Sequence, residues 1–409
     1  YAEVGRHAKE VDQLSAEVSV ISGNLTINSN FKNQRRLDMT IPKLSFNELK
    51  SLRMYAKQNG FVIGVDLASR VFQICYADLK SGQLINRAIS RSEFENMITD
   101  SKFGKCVFGI EACGQCNYWG RFINENGHIC RIIPPANISS FGNLRDKSDS
   151  IDAVKIFKAT FSPSVPVSVL RDESIQALAT VFAHRSMLMK ARIQLENAFR
   201  SASYEMGFLS SRGLESIMES SRSLLSLLDS QHKRRSFKAY KLISNDCYTI
   251  IRCIKEKIKK IDEFLEKFAM NNRMCKHFMT IDGVGPIVAA ALYSAMNGNP
   301  KMFKNGRKFA GFLGLVPKVT GTGGKILVTC VRKGGATHYK KLVYIAAVAL
   351  ISRLKRTTDT EESSLLKKLS SAKVKRKVVL SVANRISRIA WTLAYYDMDF
   401  DIEKCKFLS

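Results

Sequence analysis

The chain has 409 residues, 45% of them hydrophobic, which is ample for two or three domains with packed cores. Its formal net charge of +28 calls for a polyanionic partner, nucleic acid first and an anionic membrane surface second. No apolar stretch approaches the roughly 20 residues of a membrane span, so a helical membrane protein is excluded.

Residues 1–60 are polar and mixed and read as an N-terminal extension. Val11, Leu14, Val18 and Ile21 suggest one amphipathic helix, and Asn28 to Arg36 a linker. Residues 61–165 then alternate strand and helix patterns. Strands are predicted at 61–66, 71–77, 84–89, 106–111 and 128–133, and helices at 92–100, 117–126 and 149–160. Three short-looped strands followed by helix, strand, helix, strand, helix is the succession of a ribonuclease-H-like (RuvC-like) α/β domain. Two of its strands end in acids. Asp66 closes Phe61-Val62-Ile63-Gly64-Val65, and Glu111 closes Val107-Phe108-Gly109-Ile110. A carboxylate at the end of a buried strand stands at the rim where open α/β sheets place their ligands. Asp149 and Asp152, three residues apart, share one face of the next predicted helix. Four carboxylates meeting at one point repel unless a cation neutralises them. Hard, oxygen-seeking Mg²⁺ (or Mn²⁺) is the natural occupant, and such ions beside a phosphate suit nuclease or phosphoryl-transfer chemistry. Singly, each acid has a plainer role: Asp149 as a helix cap, Asp152 as a first-turn acid favoured by the helix dipole.

The ten cysteines are scattered and form no disulfide framework, as in a reducing cytoplasm. Cys113 and Cys116 are the one close pair. A zinc site would need further ligands such as Cys106 and Cys130, and free thiols are the expected state.

Residues 166–270 read as a helical, coiled-coil-like region. Ile251, Ile254, Ile258, Ile261, Leu265 and Phe268 recur at three- and four-residue spacing. Such a stripe serves assembly or packs on the chain's own domains. Residues 271–409 form a mainly α C-terminal domain. Gly283 and Gly285, in Ile281-Asp282-Gly283-Val284-Gly285-Pro286, resemble a helix–hairpin–helix turn whose N–H groups hold a phosphate, or else an ordinary cap. A flexible loop is predicted at Gly321-Thr322-Gly323-Gly324-Lys325, followed by Arg332-Lys333-Gly334-Gly335. It is not a P-loop, because the spacing to Lys and Ser/Thr is wrong. A basic helix at 366–396 includes Lys367, Lys368, Lys373, Lys375, Arg376, Lys377, Arg385 and Arg388. In so basic a chain it is a candidate for phosphate contact.

These motifs together resemble the DEDD transposases of bacterial insertion sequences, the group that includes Piv-type invertases and bridge-RNA-guided recombinases. Gly64-Val65-Asp66 is similar to the family's opening strand. Glu111-Ala112-Cys113-Gly114 is similar to its Glu-Ala-Thr-Gly motif with Cys for Thr, and Lys147-Ser148-Asp149-Ser150-Ile151-Asp152-Ala153 to its Lys-Thr-Asp-x-x-Asp-Ala motif. Ile132-Ile133-Pro134-Pro135, the Gly283–Pro286 turn, Phe309 to Pro317 and Val331 to Gly335 follow in the family's order. The resemblance implies a Mg²⁺ site at Asp66, Glu111, Asp149 and Asp152 and a serine nucleophile from the C-terminal domain. It also implies a bridge RNA that reads donor and target DNA, and a homodimer or homotetramer in the bacterial cytoplasm, at the nucleoid. The chain departs from the family where the serine belongs. That position falls on Gly321 or Thr322, and no serine stands between Pro317 and Lys325. Thr322 keeps a hydroxyl; Gly321 keeps none.

Overall fold

The computed structural model describes residues 43–101, 104–141, 148–205, 219, 222–223, 226, 235–322, 325–331, 337–357 and 375–401. The expected helix at 11–21, the linker at 28–36, and Lys147, Gly323, Gly324, Arg332, Lys333, Lys367, Lys368 and Lys373 lie outside them. The chain divides into two compact units, Tyr1–Asp172 and Glu173–Ser409.

The first unit is built on five strands, β1 (Phe61–Asp66), β2 (Val71–Ala77), β3 (Leu84–Ser90), β4 (Cys106–Glu111) and β5 (Ile129–Ile133). Their order is β3-β2-β1-β4-β5. β1 runs parallel to β4 and β4 to β5, while β2 and β3 are antiparallel additions. Residues 61–65 and 106–110 are buried throughout, as expected of parallel strands covered on both faces. Helices α1 (Phe46–Asn59), α2 (Arg91–Thr99), α3 (Cys116–Glu125), a single turn α4 (Pro135–Ile138) and α5 (Asp149–Thr160) complete the unit. α2 and α3 supply Phe94 and Trp119, which meet Phe72 and Phe108 edge to face on one side of the sheet. The strand and helix pattern of the sequence begins this domain at residue 61. The structure adds α1, whose Leu52 and Ala56 join the same core. A capping box, Ser45 with Glu48, starts that helix.

In the second unit, α6 (Glu173–Glu205) and α7 (Arg235–Asn271) pack side by side, joined by Arg185 Nε to Asp262 Oδ1 at 2.6 Å. Ile251, Ile258 and Leu265, seven residues apart, are the buried line of the predicted stripe. Leu178, Phe182 and Leu265 belong to one core with α8 (Arg273–Met279), α9 (Pro286–Ala295) and α10 (Gly306–Phe312), so the stripe is at least partly spent on the unit's own interior. The antiparallel pair β6 (Pro317–Thr322) and β7 (Lys325–Val331) follows, then α11 (Thr337–Thr357) and α12 (Lys375–Tyr396). The predicted loop at 321–325 is thus largely strand: Thr322 pairs with Lys325. Two glycines between alternating β-branched residues suit a two-residue hairpin connection, a signal the loop reading passed over.

Candidate active site at the sheet rim

Gly64 and Gly109 are register partners on the adjacent parallel strands β1 and β4. A Cβ at Gly64 would lie 2.4 Å from the Phe157 backbone nitrogen, and one at Gly109 would overlap the Thr160 side chain. The two glycines therefore let α5 lie directly on the sheet. Side chains alternate along a strand, so Asp66 shares the face of Gly64, and Glu111 the face of Gly109. Both acids are turned toward the layer that α5 occupies. From Phe157 back to Asp152 is about 7.5 Å of helix, and from Gly64 on to Asp66 about 6.6 Å of strand. The near-equal lengths bring the start of α5, with Asp149 and Asp152, to the ends of β1 and β4. Ser148 caps this helix by accepting from the Ile151 N–H.

The electrostatics carry the same message. Burial, then the charges of Asp149, Glu111 and Asp152, push the Asp66 carboxyl up from 3.8 to about 6. Burial and the Asp152 charge raise Glu111 as well. One cation answers part of this charge: Lys155, itself buried, reaches Asp152 Oδ1 at 3.0 Å.

All four expected acids thus gather at one rim, electrostatically coupled. They are not drawn together as a ready coordination shell: among the described residues no three His, Cys, Asp or Glu side chains are placed to hold a metal ion. Coordination requires the carboxylates to turn inward from this arrangement. The donor set is all carboxylate oxygen on a half-buried rim. By its chemistry it fits a hard divalent cation.

Side chains that the sequence did not flag hold α5 in place. Gln73, opposite Asp66 on β2, donates through Nε2 to Asn86 Oδ1 at 2.5 Å. Asn86 Nδ2 donates in turn to the Ser150 carbonyl at 2.7 Å and to Ser150 Oγ at 3.0 Å, between the two acids of α5. At the other end Arg131 Nη1 donates to the Thr160 carbonyl at 2.6 Å, a cation on the helix C-terminus. These pairs are 64 and 29 residues apart in the chain, and no local pattern announces them.

The eight cysteines whose side chains the structure describes are free thiols, as expected. Burial pushes Cys106 and Cys130 up to about 12, and among the described residues no cysteine group is placed to hold a metal ion. Gly283 has a packing reason to be glycine: its φ is +84°, and a Cβ there would stand 2.7 Å from the Ala346 carbonyl oxygen. Gly285 is open and caps α9 ahead of Pro286. Arg376 and Lys377 are exposed at the start of α12.

A five-stranded mixed sheet with helices on both faces and four acids on its rim fits a RuvC-like DEDD domain, the class of DNA-processing enzymes. A DEDD transposase model matches residues 63–203 and so spans all four acids. The model described as "Transposase IS116/IS110/IS902 family" matches residues 275–361, spanning the Gly283–Pro286 turn and the β6–β7 hairpin. The chain is similar to a putative transposase of Sinorhizobium fredii (27% identity, covering 81% of this chain and 83% of that one). It is also similar to a probable family 20 transposase of Pseudomonas aeruginosa (28%, covering 81% and 96%). A third relative is the transposase for insertion sequence element IS1111A of Coxiella burnetii (28%, covering 81% and 89%). With both halves of the pattern present in order, the chain belongs to this family of insertion-sequence transposases, enzymes that cut and rejoin DNA. No helix among the described residues is long and apolar enough to cross a membrane.

Proposed function

We propose that this protein is a DNA transposase or site-specific recombinase of an insertion sequence, guided by a noncoding bridge RNA. The observation that carries the reading is the gathering of Asp66, Glu111, Asp149 and Asp152 at one sheet rim. In this reading the four acids hold Mg²⁺ or Mn²⁺, which when bound supplies charge neutralisation at the phosphate oxygens of the scissile strand. Asn86 and Arg131 keep α5 seated, so that Asp149 and Asp152 stay aligned with the strand-borne pair. The attacking hydroxyl comes from Thr322, last residue of β6, beside Gly321, Gly323, Gly324 and Lys325. Threonine's extra methyl stiffens and crowds the nucleophile relative to serine. Gly283, Gly285, Arg332, Lys333, Lys375, Arg376 and Lys377 contribute phosphate contacts to donor DNA, target DNA and guide RNA. A homodimer or homotetramer brings the strands together in the bacterial cytoplasm.

The missing serine favours a second reading: a chain that binds nucleic acid, or cuts as a resolvase-like nuclease, without forming a covalent intermediate. One assay separates these. Donor and target plasmids with the guide RNA are incubated with the chain in Mg²⁺, then run under denaturing conditions. A covalent protein–DNA adduct with joined products supports the recombinase. Free ends alone, unchanged when Thr322 or Gly321 is replaced by Ser, overturn the nucleophile assignment. Salt-sensitive binding with no cleavage in either form assigns a binding role.

A further inference from the structure

The second unit holds a cavity of about 490 Å³ between the start of α10 and the outer side of α12. Its size is within the range of small-molecule sites, roughly 300–1,000 Å³. Three arginines line it: Arg307 on α10, Arg385 and Arg388 on α12. Its apolar part is Ile389, Leu393, Met398 and Phe400, with the Trp391 indole among them. Trp391 is held rigidly, because its Nε1 donates to the Pro300 carbonyl at 2.9 Å and Tyr395 stacks on it at 4.9 Å. Two acids also line the cavity, Asp399 and Asp401. Asp399 Oδ1 is fixed 2.7 Å from His277 Nδ1, so that carboxylate is a placed acceptor. Gly306 explains how the walls come so near, since a Cβ there would lie 3.0 Å from the Arg388 carbonyl oxygen.

Such a lining asks for a ligand with three parts. It needs an anion that accepts planar, forked hydrogen bonds from guanidinium groups. It needs a flat apolar body to cover Ile389, Met398 and Phe400 beside the largely buried indole. It needs an N–H or O–H donor for Asp399, whose carboxylate can accept beyond its bond to His277. A nucleotide has all three: phosphate, base, and the amino or hydroxyl groups of base and sugar. Duplex nucleic acid hides its bases in the stack, so only an unpaired residue can enter. We propose that this cavity binds one unpaired nucleotide of a single-stranded segment, phosphate on the three arginines and base against the apolar wall of Ile389, Met398 and Phe400, at the edge of Trp391. The site is distinct from the acidic rim and rests on none of its chemistry.

The chain has two tryptophans, Trp119, fully buried in the first unit, and Trp391, 9% exposed and lining this cavity, so a change of emission on binding here reports on Trp391. The full chain is titrated with fluorescein-labelled 12-mers of oligouridylate and oligodeoxythymidylate and with a 12-base-pair duplex. Anisotropy and tryptophan emission are both followed. Both single strands are expected to quench the emission, with the ribose and deoxyribose arms distinguishing RNA from DNA as the better ligand. Arg307→Glu, at an exposed position, and the pair Arg385→Ala with Arg388→Ala should each weaken single-strand binding about tenfold, the scale of losing one stacked, phosphate-anchored nucleotide. Duplex binding should change about twofold or less. Trp391→Phe should keep most of the binding and lose the quench. Single-strand affinity unchanged in Arg307→Glu and in the arginine pair, or quenching that persists in Trp391→Phe, would overturn the proposal.

Discussion

Asp66 meets two opposed demands. Folding prefers it neutral, because it is half-buried beside three other acids, while binding a cation requires it charged. Its folded-state value, about 6, lies above the ordinary 3.8. The folded form therefore holds the proton more tightly than the unfolded chain. The associated stability is present below about pH 4 and lost as pH rises through 6. In metal-free protein, Asp66→Asn should flatten this pH dependence and raise the neutral-pH melting temperature while removing Mg²⁺-dependent DNA processing. Thermal melts from pH 4 to 8 in EDTA, beside a plasmid assay, check both. A melting temperature equally pH-dependent in the variant contradicts the coupling. Cation binding, for the same reason, should weaken below pH 6.

α5 is the element on which the site turns. Its seat depends on Gly64 and Gly109, and its two ends on Asn86 and Arg131. Gly64→Ala would drive a methyl into the Phe157 backbone. It should cost about 1–3 kcal/mol, as overpacked sites do, and should reduce DNA processing beyond the loss of folded protein. Asn86→Ala cuts the tie from β3 to Ser150 and leaves the Gln73 amide without its acceptor. About 1–3 kcal/mol of stability should go with it, read by chemical denaturation. These supports were invisible in the sequence, whereas the strands themselves were plain. A buried parallel strand is a short apolar run ended by a turn or an acid, and 61–66 and 106–111 read so without ambiguity. The helix at 149–160 was legible through its acids and following apolar residues. Gly64 and Gly109 were in view, yet their meaning is the distance to a helix some 90 residues and 50 residues later, which only the fold supplies. The β6–β7 hairpin was missed because glycine abundance outweighed its alternating β-branched flanks.

Across the whole molecule, charge sets the binding behaviour. At +28 the chain should bind any nucleic acid, with affinity falling steeply as salt rises. Replacing the exposed Arg376 and Lys377 by Ala should lower the slope of log affinity against log salt by about 2, near 1 per phosphate contact, with little change in sequence preference. An unchanged slope would remove the start of α12 from the interface. The division into two units separates the acidic rim, in the first, from the β6–β7 hairpin carrying Gly321 and Thr322, in the second.

The central claim is that four acids distant in sequence hold a divalent cation. Mn²⁺ titration of the full chain, followed by electron paramagnetic resonance at pH 7.5, tests it without any DNA. The wild-type chain should take up Mn²⁺, and Asp66→Asn, Glu111→Gln and Asp152→Asn should each weaken uptake about tenfold or more. Equal uptake by the wild type and all three variants would contradict it.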